Sequence, residues 1–192
     1  LERQSNRLKK LIEDLIEASK ASTGNLAVHL EKLEAGVSVV QIVGEFEDKL
    51  NAADLTLLIQ KPEAPVYVMA DGRHFWRVID NLMNNICKYA QPGTRVYVDL
   101  RENGGQVELI FRNTSRYPLN ISSEELMERF VRGDESRNTE GSGLGISIAK
   151  SLMELMGGSF MLYVDGDLFK VVLGFAQIAE EKEPLNEDES GK

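Results

Sequence analysis

Three asparagines and a lysine stand out in the run RVIDNLMNNICKYA, from Arg77 to Ala90. Val78, Ile79, Leu82, Met83 and Ile86 recur at helical spacing and form one apolar stripe. Asn81, Asn84 and Asn85 interrupt it. Asparagine is a poor helix former, because its amide competes for nearby backbone groups. Residues three and four apart are neighbours on a helix, so Asn81, Asn85 and Lys88 share a face. An amide oxygen can ligate magnesium, which prefers hard oxygen donors and keeps water and phosphate in its shell. Lys88 can neutralise a phosphate. A merely solvated face is the weaker reading, since surface helices more readily use Glu, Lys or Gln.

A second run, EGSGLGISIAKSLMELMGG, spans Glu140 to Gly158. Gly141, Gly143 and Gly145 let several backbone N–H groups turn inward, and a helix starting near Gly145 aims its positive end at the same place. A Rossmann fingerprint would need a glycine where Ile146 stands, and a Walker loop would need Gly-Lys-Ser/Thr, which is absent. Taken alone, the segment fits a phosphate cradle and a flexible loop before a helix equally well.

The rest of the sequence must position these two runs. LERQSNRLKKLIEDLIEASKAST reads as an amphipathic helix ended by Gly24-Asn25, with Leu1, Leu8 and Leu15 a heptad apart and Leu11, Ile12 and Ile16 beside them. Such a stripe packs on its own domain or seeks a partner helix; the second reading, half of a hairpin or a dimer seam, is favoured. A short strand and a helix are expected between Ala27 and Leu50. LTLLIQ, VYVMAD, RVYVDLRE and QVELIFRN read as strands, with Asn103-Gly104-Gly105 turning the last two into a hairpin. SFMLYVDGDLFKVVLGF reads as a second hairpin, turning at Gly166-Asp167. Helices are predicted over 73–90, 123–129 and 145–156, the middle one opened by a Ser122/Glu125 capping box. The fold class is therefore α+β: a two-layer sandwich, its mixed sheet covered on one face by helices, preceded by a long amphipathic helix.

Composition narrows the function. The formal net charge is -9, which argues against nucleic acid as a partner, because such binding needs clustered Lys and Arg. Much of the excess acid lies in the final run after Gln177, which has no apolar period and is expected to be disordered. The one cysteine, Cys87, excludes a disulfide within the chain and a cysteine metal cluster. No stretch reaches the ~20 apolar residues of a membrane span, so no membrane contact is expected here. The chain opens on Leu1 rather than Met and is expected to be a piece of a longer protein, with membrane segments possible upstream.

NLMNNICKYA resembles the N box of bacterial sensor histidine kinases, ERFVRGD their F box, and EGSGLGISIAKSL their second glycine box, all in the family's order. DLFKVVLGF is similar to the closing strand, and RLKKLIEDLIEASKAS resembles the second helix of the dimerisation and phosphoacceptor hairpin. The resemblance implies an ATP-binding sandwich of the kind shared with gyrase-type and MutL-type ATPases. It implies residues 1–24 as the second hairpin helix, 25–177 as the catalytic domain and 178–192 as an acidic tail. By this resemblance Asn85 ligates magnesium, Asn81 lies beside the phosphates, and Lys88 and Tyr89 line the nucleotide site. Phe130 and Arg132 belong to a mobile lid, and Arg137 meets the γ-phosphate. Gly141, Ser142, Gly143, Leu144 and Gly145 wrap the triphosphate. The implied reaction is phosphoryl transfer to a histidine, driven by positioning and charge neutralisation. The implied partners are the hairpin of the same protein, in a homodimer, and a response regulator; the implied location is the cytoplasmic part of a membrane sensor. A glutamate at the place of Asn81 activates water in the related ATPases, whereas an amide cannot act as a base.

Two departures stand out. The first glycine box, Asp-x-Gly-x-Gly, should follow VELIF, but no glycine occurs between Gly105 and Gly133. Asn113 stands near the missing aspartate, where a neutral amide would offer adenine a weaker bond; a plain strand-end residue fits equally. The phosphoacceptor is also absent: His29 and His74 are the only histidines, and both read as structural. Phe75, Trp76 and Met83 read as core, Asp71 as a cap, Asp80 as a surface residue and Cys87 as a buried filler. Two rival functions remain: an anti-sigma-type serine kinase, and a non-catalytic module that binds nucleotide or partner proteins.

Overall fold

The computed structural model describes residues 2–132 and 143–178. In chain order the elements are α1 (Glu2–Ser22), β1 (Glu31–Glu34), α2 (Ala35–Gly44), α3 (Glu47–Ala52), β2 (Leu55–Gln60), β3 (Tyr67–Ala70) and α4 (Gly72–Tyr89). Then come β4 (Thr94–Asn103), β5 (Gln106–Thr114), α5 (Ser123–Arg132), α6 (Gly145–Leu155), β6 (Ser159–Asp165) and β7 (Leu168–Ile178). The expected strands, hairpin turns and main helices all form. One difference lies between Ala27 and Leu50, where two helices replace one: α2 ends at Gly44, and Phe46 turns inward to 3% exposure before α3 begins.

The strands form one seven-stranded mixed sheet in the order β1-β3-β7-β5-β4-β2, with β6 also paired to β7. Only β2 and β4 run parallel; every other pairing is antiparallel. Both hairpins turn where their glycines sit. Gly104 and Gly105 have φ of 59° and 85°, and Gly166 has φ of 56°, which suits the twist of tight hairpins.

Strand periodicity sets the layers. Val107, Leu109 and Phe111 of β5 alternate with their neighbours and line up with Phe169, Val171, Leu173 and Phe175 of β7, all buried. Val78, Ile79, Leu82, Met83 and Ile86 of α4 and Ile146, Ala149, Leu152 and Met153 of α6 complete that core. Each of the larger of these side chains contributes roughly 1.5–3 kcal/mol by leaving water. The opposite sheet face is open, with Met161 and Tyr163 exposed. There Asp99 is fully buried by its pairing with Arg101 and Arg112.

α1 divides its surface. Ala21 and Ala18 pack against the core, while Leu8, Ile12, Leu15 and Ile16 remain exposed. Gly24, at φ 72°, ends the helix as expected, with the Asn25 N–H donating to the Lys20 carbonyl at 2.9 Å. Among the described residues no helix is long and apolar enough to cross a membrane. The acidic run from Ala179 and the polar loop 133–142 lie outside the described residues.

Candidate functional site

The site is built on α4 and on the start of α6. Asp71 caps α4 by accepting from the N–H groups of Arg73 at 3.0 Å and His74 at 3.3 Å, and it also accepts from His29 at 2.9 Å. Burial pushes its carboxyl up, but the His29, His74 and Arg73 amides and the charge of His74 prevail and hold it at about 2. The cap fixes the helix phase, and with it the face that Asn81, Asn85 and Lys88 share.

Asn81 is buried, at 8% exposure. Its Oδ1 lies 3.3 Å from where a side-chain carbon on Gly145 would stand, so the amide rests on the first residue of α6. Its Nδ2 has no hydrogen-bond partner among the described residues. The N-cap of α6 is Leu144, and among the described residues no side chain caps it. Gly143, at φ 73°, turns the chain into this helix. The N-terminus of α6 thus lies beside a buried amide, a place suited to an anion.

The far end of α4 is tied to the end of β5. The Gln91 N–H donates to the Thr114 carbonyl at 2.9 Å, and the Arg116 N–H to the Tyr89 carbonyl at 2.8 Å; Ala90 pairs with Ser115. These bonds set the Lys88–Tyr89 segment beside the end of β5 that carries Asn113. Lys88 Nζ lies 4.7 Å from the Tyr89 ring centroid. Asn113 is buried on the core face of β5, opposite Phe169. Its Nδ2 donates to the Thr114 carbonyl at 3.3 Å, leaving Oδ1 without a partner among the described residues. An unpaired buried polar atom costs about 1–3 kcal/mol, which a polar ligand would recover. The arrangement can hold an anionic ligand at one end and a hydrogen-bond donor at the other.

Residues 70–184 match the model of a family described as histidine kinase-, DNA gyrase B-, and HSP90-like ATPase. The chain belongs to that family. It is 28% identical over 171 residues to the probable sensor protein PcoS of Escherichia coli, covering 87% of this chain and 36% of PcoS. It is 25% identical over 155 residues to the sensor protein IrlS of Burkholderia pseudomallei, covering 80% of this chain and 33% of IrlS. The chain thus spans about a third of the length of these relatives. The fold is shared with the Acinetobacter baumannii histidine kinase AdeS, at TM-score 0.72 and 20% identity over 92% of this chain and 82% of AdeS. It is shared also with full-length ShkA, solved in complex with AMPPNP, at TM-score 0.73 and 18% identity over 93% of this chain and 38% of ShkA. In this ATPase family the matched region is the ATP-binding catalytic domain.

Of the site residues expected from the sequence, the structure brings Asn81, Gly143, Leu144 and Gly145 together and sets Asn113 near Tyr89. Asn85 and Lys88 are half-buried on α4. Phe130 and Arg132 fall in the last turn of α5, where only the backbone is described. Arg137, Gly141 and Ser142 lie outside the described residues.

Two expectations are corrected. Trp76 is 39% exposed, because it sits off the apolar stripe, and its Nε1 donates to Glu45 at 3.3 Å. Asp80 is not a plain surface residue: it accepts from Arg77 at 3.2 Å and from Asn84 Nδ2 at 2.9 Å. Burial pushes the Cys87 thiol up, partly opposed by the Lys49 charge, in keeping with a filler. Sequence reading missed Arg77 altogether, since its partners Asp14 and Glu17 lie on α1.

Proposed function

We propose that this chain is the catalytic part of a two-component sensor histidine kinase, transferring the γ-phosphoryl group of ATP to a histidine on a hairpin helix outside this chain. The observation that carries the reading is Asn81, a buried amide that rests on the first residue of α6 and whose nitrogen has no hydrogen-bond partner among the described residues. The family supports ATP as the nucleotide.

In this reading Asn85 holds magnesium through its amide oxygen, and Lys88 meets the phosphates together with the amides of Gly141 to Gly145. Magnesium, if held by Asn85, would supply charge neutralisation at the phosphates. Arg137 would reach the γ-phosphate, Phe130 and Arg132 would belong to the lid, and Tyr89 would line the nucleotide. Asn113 would read the adenine amino group with Oδ1, in place of the aspartate of related sites. Asn81 offers no titrating group, so water gains no base and the phosphoryl group is kept for a protein nucleophile.

α1 fits the second helix of the hairpin, because Leu8, Ile12, Leu15 and Ile16 form an exposed stripe that a partner helix would cover. Residues 25–177 would then be the catalytic domain and 178–192 an acidic tail. A homodimer through the hairpin, a response regulator that receives the phosphoryl group and a membrane-bound sensor part belong to the same proposal. His74 is tied to the Ala27 carbonyl at 2.8 Å and His29 precedes β1, so neither suits the phosphoacceptor.

One observation favours a second reading. Asn113 in place of a charged acceptor suits a regulatory module with a weakened site. Titration with magnesium and a non-hydrolysable ATP analogue, beside Asn85→Ala, tests the site. Addition of a phosphoacceptor hairpin and ATP tests the reaction. Protein-bound phosphate stable to base and labile to acid supports the kinase; nucleotide binding without transfer supports the regulator.

A further inference from the structure

Arg77 lies one helical turn before Asn81 and belongs to two elements at once. Its guanidinium binds Glu17 of α1 in a fork, with Nη2 to Oε2 at 2.7 Å and Nε to Oε1 at 3.2 Å. The same Nη2 donates to Asp14 of α1 at 2.8 Å, and Nη1 donates to Asp80 of α4 at 3.2 Å. These pairs are part-buried: the side chains of Arg77, Glu17 and Asp14 are 22%, 24% and 8% exposed. Burial pushes the guanidinium's pKa down, but Glu17, Asp14 and Asp80 outweigh it and carry it above its ordinary value.

The chain of bonds continues. Asp80 accepts from Asn84 Nδ2 at 2.9 Å, and Asn84 Oδ1 accepts from Lys49 of α3 at 3.0 Å. A continuous polar line therefore runs from α1 across α4 to α3. It occupies positions 77, 80 and 84, which flank the face bearing Asn81 and Asn85. A forked guanidinium that satisfies three carboxylates holds direction as well as distance, unlike a lysine. Arg77, in the first half of α4, thus holds α1 by ion pairs while α1 packs on α6, the other helix of the site.

We infer that Arg77 is a positioning residue that couples the docking of α1 to occupancy of the nucleotide site. This rests on the function proposed above. While the Asp14–Glu17–Arg77–Asp80 line is intact, α4 is held in one orientation and Asn81 and Asn85 are preorganised. Release of α1 leaves Asp80 and Asn84 free to rearrange beside them, and the site loses affinity. By reciprocity, bound nucleotide strengthens α1 docking.

The test uses the whole chain. Variants are Arg77→Ala, Arg77→Lys, and the α1 pair Asp14→Asn with Glu17→Gln, which alters no residue of the proposed site. Melting curves verify that each folds. Amide exchange over residues 11–22 reports docking, and titration with magnesium and a non-hydrolysable ATP analogue reports the site. Exchange should quicken on the order of tenfold or more in Arg77→Ala and in the α1 pair. Affinity should fall on the order of fivefold in the same two, with Arg77→Lys between. Nucleotide should slow α1 exchange in the parent chain only. Faster exchange at unchanged affinity would overturn the coupling, and unchanged exchange would overturn the latch. A parent chain that binds no nucleotide would overturn the proposed function, and the coupling with it.

Discussion

Asn81 and Gly145 meet across the two helices that build the site: the amide oxygen stands 3.3 Å from the place of a Gly145 side-chain carbon. A methyl group there is tighter than ordinary contact, so Asn81 must give way. Alanine is otherwise favoured over glycine within a helix by about 1 kcal/mol. Gly145→Ala should therefore leave the melting temperature nearly unchanged while lowering affinity for a magnesium–ATP analogue by about tenfold. A melt and a titration on the same sample check this; equal affinity would separate Gly145 from the nucleotide.

Asn113 presents an acceptor because its nitrogen is already bonded to the Thr114 carbonyl. An acceptor selects the adenine amino group over the inosine carbonyl. Asn113→Ala should cost about five- to tenfold in ATP affinity and erase the preference for ATP over ITP. Asn113→Asp should gain about fivefold for ATP, since charge-assisted bonds are stronger. Competition titrations with the two nucleotides read both effects.

Asp71 gives the fold an acid limb. Its carboxyl falls from an ordinary 3.8 to about 2 on folding. The folded value is the lower one, so its charged form stabilises the fold fully above about pH 4, and that contribution drains as pH falls through about 2. Asp71→Asn keeps an oxygen at the cap but has nothing to titrate. Denaturant melts of this variant should show a flatter loss of stability between about pH 4 and 2 than those of the parent.

Gly158 is confined on two sides. An added side-chain carbon would lie 2.7 Å from the Gly174 carbonyl oxygen and 2.7 Å from Met153 Cε. The methionine can move; the backbone of β7 cannot do so cheaply. Gly158→Ala should destabilise by about 1–3 kcal/mol. Gly44→Ala, with open space at that position, should not. Denaturant melts of the pair make the comparison.

Much of the fold was legible because its signals are local. Alternation marked LTLLIQ and QVELIFRN as strands, and both hairpin turns fell at glycines whose conformations the turns require. The asparagine face of α4 and the glycine run before α6 were legible as chemistry, each from its own segment. The break between α2 and α3 was not, because it depends on Phe46 finding a buried seat. Trp76 read as core by its type, yet its place on the helix puts it outside.

The sequence by itself determined most of the elements, their order and the residue types available for nucleotide chemistry, since propensity, period and turn conformation act over a few residues. Only the tertiary structure decided which of those residues meet. It set Asn81 against Gly145, tied Tyr89 to the end of β5, and closed Asp14 and Glu17 on Arg77. Contacts between residues this far apart leave no periodic trace, because they arise when packing of the apolar faces fixes the elements around one core.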